Sequence, residues 1–196
     1  MGRMMHWESP HELNAFRLLD CNPAVLGFAE QPLVVRYLLD GVEHKHYPDI
    51  QVTTRQAKEL WEVKTKEDAA APEVMRRSAL MSAALPTFGF VYRVVLADDL
   101  GLRPRLKNAL QMLRLGRAEV ADLERERLRV AFVRLPGLTW GAVRRGALGA
   151  KGEHLVCRLI LEGAIGLDLS APITDNSPLI WTSAPQTPDQ RGGHGY

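Results

Sequence analysis

The sequence predicts an α/β fold, a mixed sheet flanked by helices, followed by a helical and strongly basic second half. Three observations carry this. A capped helix signal precedes several short runs rich in β-branched and aromatic residues. An Asp40-Gly41 pair between two such runs is a hairpin signal. An Ala- and Met-rich stretch of helical character then leads into Phe90–Leu96, the clearest strand in the chain.

Each element follows from local chemistry. In Ser9-Pro10-His11-Glu12, Ser9 suits the N-cap, Pro10 the first helical position and Glu12 the capping box. Leu13 and Phe16 follow at helical spacing, and Asn22-Pro23 ends the helix. Val25 to Phe28 is a short extended segment, and Leu33 to Leu39 a strand. Glu43 to Thr53 returns antiparallel across the Asp40-Gly41 turn, with Pro48 marking an edge or a break. Leu60 to Thr65 is a third strand, and Ala69 to Ala84 a helix ended by Pro86. The first half thus reads helix, three strands, helix, strand, an α/β sandwich around a mixed sheet. Asp98-Asp99-Leu100-Gly101 reads as a boundary. Beyond it, Arg103–Leu115 and Glu119–Leu128 are helical. Thr139 caps a short helix broken by Gly146 and Gly149. Glu153–Glu162 is a helix closed by Gly163. Ala164–Leu169 and Pro178–Trp181 are short strands. Helix, turn, helix and hairpin is the order of a winged helix. The Pro- and Gly-rich end from Pro185 to Tyr196 reads as disordered.

Composition narrows the class. The chain has 196 residues, 46% hydrophobic and 24% charged, enough for one medium domain or two small ones. No apolar run is long enough to span a bilayer, and Met1 to Pro10 lacks the apolar region of a signal peptide. Cytoplasmic residence is the expectation. Cys21 and Cys157, the only cysteines, form no zinc-ligand spacing and are expected to pack as small apolar residues. The net charge of +2 conceals an asymmetry: residues 1–100 carry a net −3, residues 101–158 a net +8, and residues 159–196 a net −3. A basic middle behind an acidic first half reads as a nucleic-acid-facing segment beside a cation site, or as a solvated Arg-rich helical surface.

The chemistry concentrates in His46-Tyr47-Pro48-Asp49-Ile50 and Leu60-Trp61-Glu62-Val63-Lys64. On a strand Glu62 and Lys64 share a face and Val63 takes the other. Magnesium takes oxygen ligands, usually one or two carboxylates with water and phosphate oxygens. Asp49 and Glu62 on neighbouring strands meet that need, and Lys64 is placed to steady phosphate charge or orient a water. A cross-strand ion pair is the plain structural alternative. Glu12 serves as a cap or presents a third carboxylate from a first helical turn, with Glu8 as its rival. His44 and His46 share a face near Asp49, as a transition-metal pair or a solvated hairpin face. Gln31 is placed to hydrogen-bond the site or the backbone, and Lys66 lies one strand period beyond Lys64.

These residues and their order carry a family resemblance. Ser9-Pro10-His11-Glu12 with Phe16 and Leu18-Leu19, Asn22-Pro23-Ala24-Val25, Glu30-Gln31-Pro32-Leu33, His46-Tyr47-Pro48-Asp49-Ile50 and Trp61-Glu62-Val63-Lys64 resemble the N-terminal catalytic domain of TnsA-type transposon endonucleases. That family is a branch of the PD-(D/E)xK superfamily. The resemblance implies a restriction-endonuclease-like nuclease domain over 1–98 and a helical and winged-helix region over 99–184, ahead of the tail over 185–196 that composition reads as disordered. It implies Glu12, Asp49 and Glu62 as metal-binding acids and Lys64 as catalytic base or phosphate partner. The cofactor would be Mg²⁺, with Mn²⁺ as substitute. In the TnsA of the best-known transposon Gln replaces the acid before the lysine, where this chain keeps Glu62 before Lys64. Thr139 to Val143, Leu155 to Gly163, Asp168-Leu169 and Pro172-Ile173 resemble the family's second domain more loosely. Implied partners are double-stranded DNA and a partner transposase that joins the other strand, or another mobile-element protein, with no membrane. Gln31, Lys66, Arg103, Arg105, Arg144 and Arg145 are the supporting or DNA-facing candidates. Alternatives are a nuclease of the same fold in phage packaging, restriction or repair, and a non-catalytic DNA-binding assembly protein.

Overall fold

Ser9 opens the first helix as its N-cap: the Glu12 N–H donates to Ser9 Oγ at 3.3 Å, and the Ser9 hydroxyl donates to Glu12 Oε1 at 3.0 Å. Pro10 sits in the first turn, where its missing N–H has no intrahelical partner to lose. The structure is a computed structural model and describes residues 9–182. Glu8 and the tail over 185–196 lie outside the described residues.

Helix α1 (Pro10–Asp20) is followed by strands β1 (Val25–Glu30), β2 (Val35–Leu39), β3 (Val42–His46), β4 (Ile50–Thr54) and β5 (Lys58–Lys64). Asp40 and Gly41 both take positive φ, 53° and 78°, as a type I′ turn requires, and β2 pairs antiparallel with β3. The expected single strand over Glu43–Thr53 is two strands. Pro48 has no N–H for a ladder, and the chain leaves the hairpin at Tyr47-Pro48-Asp49. β4 then pairs with β1 and β5 instead of β2. The main sheet has the order β1-β4-β5-β6 and is mixed: β1, β4 and β5 are antiparallel neighbours, while β5 runs parallel to β6 (Phe90–Leu96). The β2–β3 hairpin stands as a separate sheet.

The crossover from β5 to β6 also departs from the expected single helix over Ala69–Ala84. Thr65 caps a short α2 (Lys66–Ala69), and Pro72, which cannot continue a helix, opens α3 (Pro72–Ala84). A 3₁₀ turn, Leu85–Phe88, leads into β6. The supposed boundary Asp98–Gly101 is part of a helix, α4 (Ala97–Gly101). α5 (Arg105–Leu115) and α6 (Asp122–Arg134) follow. Thr139 Oγ1 accepts from the Ala142 N–H to cap α7 (Trp140–Arg144), and Gly163 at φ 75° ends α8 (Gly152–Leu161). β7 (Ile165–Gly166) and β8 (Ile180–Trp181) close antiparallel, and Thr139 bridges to Pro178.

The two faces of the main sheet are buried by different partners. Ile50, Val52 and Val63 face α1, where Phe16 stacks on Phe28 with ring centroids 5.6 Å apart. The same buried cluster continues through Leu100, Met112 and Cys157 into α5 and α8, so residues on both sides of Gly101 share one core. Cys21 and Cys157 are buried free thiols, as expected of small apolar residues. On the opposite face Leu60 and Tyr92 pack with Met81 and Leu85, and Val35 and Tyr37 of the hairpin complete the layer. Phe16→Ala should lower unfolding free energy by about 3–5 kcal/mol, read from urea denaturation, because it empties the seam between α1 and the sheet.

Candidate functional site

Side-chain alternation along β5 puts Leu60, Glu62 and Lys64 on the α3 face and Trp61 and Val63 on the α1 face. Leu60 is fully buried there, and Glu62, next on that face, is 3% exposed. A carboxylate so placed needs compensating charge and donors. Lys64 Nζ lies 2.9 Å from Glu62 Oε1, and Arg77 Nη2 of α3 donates to the same oxygen at 3.0 Å. His46 Nε2, at the end of β3, lies 3.1 Å from Glu62 Oε2 and 3.1 Å from Tyr92 Oη. The ring nitrogen is directed at the phenol, so Oε2 receives no well-directed hydrogen bond from the described residues. Burial works against the Glu62 charge, but the contacts with His46 and Lys64 outweigh it and hold the carboxyl below its usual range.

Asp49 meets the same strand from the side. Ile50 pairs with Trp61, which sets Asp49 opposite Glu62. The Asp49 N–H donates to the Trp61 carbonyl at 2.9 Å, and Asp49 Oδ2 accepts from the Val63 N–H at 2.6 Å. Gln31, at φ 36°, donates its backbone N–H to the Asp49 carbonyl at 2.9 Å, so it supports the site through the main chain. Burial first, and the Glu62 charge second, push the Asp49 carboxyl up to about 6, with Glu12 adding to the rise. Glu12 therefore stands near enough for its charge to reach Asp49, while its carboxylate accepts from the Ser9 hydroxyl.

The structure thus gathers Asp49, Glu62 and Lys64 at one end of β4 and β5, with the Glu12 charge felt at Asp49 from the first turn of α1. Among the described residues no group of three or more His, Cys, Asp or Glu side chains is spaced to hold a metal ion. The chemistry of the donor set still suits a hard divalent cation. Two carboxylates meet at one strand end, burial and then the Glu62 charge raise Asp49, and one buried Glu62 oxygen lacks a directed donor.

Other expected residues fall elsewhere. Lys66 does not continue the strand; it starts α2 and is exposed. His46 is not on a solvated face but 6% exposed, whereas His44 is exposed and stacks on Tyr37. Arg103 and Arg105 are exposed beside Pro104. Arg144 and Arg145 are exposed and both pair with Asp175, at 3.4 Å and 3.1 Å. Sequence reasoning missed Arg77 and Tyr92. Arg77 sits within a helix of ordinary composition, and only the β5–α3–β6 crossover brings it over Glu62. The chain matches no protein-family model and no curated protein.

Because the Asp49 carboxyl is raised to about 6, against an ordinary value of about 3.9 in the unfolded chain, the folded state takes up its proton first as pH falls. That contribution is fully present below about pH 4 and is lost as pH rises through about 6. Wild type should therefore lose stability relative to Asp49→Asn across this interval. A urea-denaturation difference that stays flat from acid to neutral pH would contradict the assignment.

Proposed function

We propose that this protein is a TnsA-like, metal-dependent DNA endonuclease that hydrolyses phosphodiester bonds. The observation that carries this reading is the convergence of Asp49, Glu62 and Lys64 at one end of two paired strands, with the Glu12 charge reaching Asp49. Asp49 and Glu62 would hold Mg²⁺, or Mn²⁺ in its place, with Glu12 as the third acid. When bound, such an ion supplies Lewis acidity toward the phosphate and lowers the pKa of a water. The remaining work belongs to the chain. The Val63 N–H fixes the Asp49 carboxylate, so its other oxygen has a defined direction. Lys64, 27% exposed, sits where it can neutralise charge developing on the attacked phosphate or orient the water.

The second half supports the DNA-binding part of the reading. α7, a glycine turn, α8 and the β7–β8 ladder follow in the order of a winged helix, and an isolated bridge joins Thr139 to Pro178. Arg103, Arg105, Arg144 and Arg145 are the exposed cations proposed to meet backbone phosphates of double-stranded DNA. The TnsA resemblance extends the proposal to cutting at transposon ends, with a partner transposase acting on the other strand. A second reading, a non-catalytic DNA-binding assembly protein, draws on one observation: Glu62 already holds Lys64 and Arg77, as a purely structural ion pair would.

Nicking of supercoiled plasmid with Mg²⁺, with and without a transposase encoded beside this protein, separates the two. Wild type should nick, and Asp49→Ala and Lys64→Ala should each lose about a hundredfold or more in rate. Equal nicking by wild type and Asp49→Ala, or DNA binding without nicking in every condition, would overturn the catalytic reading.

A further inference from the structure

Arg77 belongs to none of the motifs that carry the family resemblance, yet it makes one of the closest contacts in the site. Its Nη2 and Lys64 Nζ both crowd Glu62 Oε1, at 3.0 Å and 2.9 Å. Its Nε is buried and has no hydrogen-bond partner among the described residues. Nε–H and Nη2–H lie along one edge of a guanidinium, the edge that grips a carboxylate or phosphate in bidentate fashion. Against Glu62 that edge is half used.

The nuclease reading, on which this inference rests, asks Glu62 to serve a divalent ion. Two cations on the same oxygen oppose that by like-charge repulsion. Arg77, once released, needs an anion, and a backbone phosphate offers two oxygens to Nε and Nη2 together. We propose that Arg77 is a positioning residue and the internal counter-ion of the site. It holds Glu62 while no divalent cation is bound and passes to a DNA backbone phosphate when one is, so that cation and DNA bind cooperatively. The formal charges fit the exchange. Glu12, Asp49 and Glu62 exceed Lys64 and Arg77 by a single negative charge. A divalent ion turns that into a single positive charge, and a phosphodiester restores neutrality. Linkage makes the effect reciprocal: whatever factor the ion adds to DNA affinity, DNA adds to ion affinity.

The test uses the full chain and two binding readouts. Mn²⁺ affinity, from the electron paramagnetic resonance of free ion, should rise about tenfold in Arg77→Met and stay near wild type in Arg77→Lys. Affinity for a short duplex, from fluorescence anisotropy, should rise about tenfold when Ca²⁺ is added to wild type, and most of that gain should vanish in Arg77→Met. If Arg77 merely braced Glu62, its loss would leave Mn²⁺ affinity unchanged or lower, and either result overturns the proposal. Should Arg77→Met fail to fold by circular dichroism, Arg77→Gln replaces it with the same expectation. Asp49→Asn and Glu62→Gln separate the two levels of inference. Mn²⁺ binding lost in both but unaltered in Arg77→Met sinks the role of Arg77 and leaves the nuclease reading standing. Mn²⁺ binding that persists in both removes the cation site, and the proposal with it.

Discussion

The burial of Glu62 is the constraint on which the rest of this structure turns. A lone carboxylate removed from water is strongly disfavoured, and here it sits one strand period from Leu60, in the layer that joins the sheet to α3. The chain answers with groups from three other places: Lys64 further along β5, Arg77 from α3, and His46 at the end of β3. Each compensating contact fixes an element. The hairpin, the crossover helix and the sheet end are tied through one side chain, and Tyr92 of β6 joins them through His46.

Asp49 shows the same logic from the main chain. Its backbone and carboxylate bond both sides of β5's end, at Trp61 and Val63, and its carbonyl receives the Gln31 N–H. The segment Tyr47-Pro48-Asp49 is therefore not a slack connection between strands. Pro48 is buried, and its missing N–H releases the chain from the hairpin so that Asp49 can turn toward β5. The residues that make the site chemically interesting are the same ones that redirect the chain from one sheet to the other.

Local devices were legible in the sequence because their physics is local. Ser9 capping α1, the Asp40-Gly41 turn, Thr139 capping α7 and Gly163 ending α8 each depend on a few adjacent residues. The Asp49, Glu62 and Lys64 triad was legible because strand alternation and one cross-strand register suffice to place it. The exchange of β4 from the hairpin to β1 was not, because the run from Glu43 to Thr53 alternates passably on either side of Pro48. Arg77 and His46 were illegible as Glu62 partners for a deeper reason. Their contacts span fifteen and sixteen residues of chain, and nothing in an arginine on a helix or a histidine on a hairpin announces that a carboxylate will be buried against it.

The excess of positive charge after Gly101 also changes meaning once the pairs are placed. Arg125 and Arg158 share Glu162, Arg129 meets Glu126, and Arg144 and Arg145 share Asp175. Two acids beyond residues 101–158, Glu162 and Asp175, thus offset part of that segment's +8 and engage four of its arginines. These engagements differ in kind. The Glu162 pairs are half-buried; Arg125 links α6 to the end of α8, and Arg158 braces Glu162 from within α8. The Asp175 pairs are more than half exposed, and exposed pairs contribute only about 0–1 kcal/mol. A polyanion can replace Asp175 at little cost while the Glu162 pairs remain. Under the nuclease reading, Arg144 and Arg145 are therefore among the arginines able to meet DNA without loosening the fold, as are the exposed Arg103 and Arg105. The Arg125–Glu162 pair ties α6 to α8, the helix against which α5 and α7 pack.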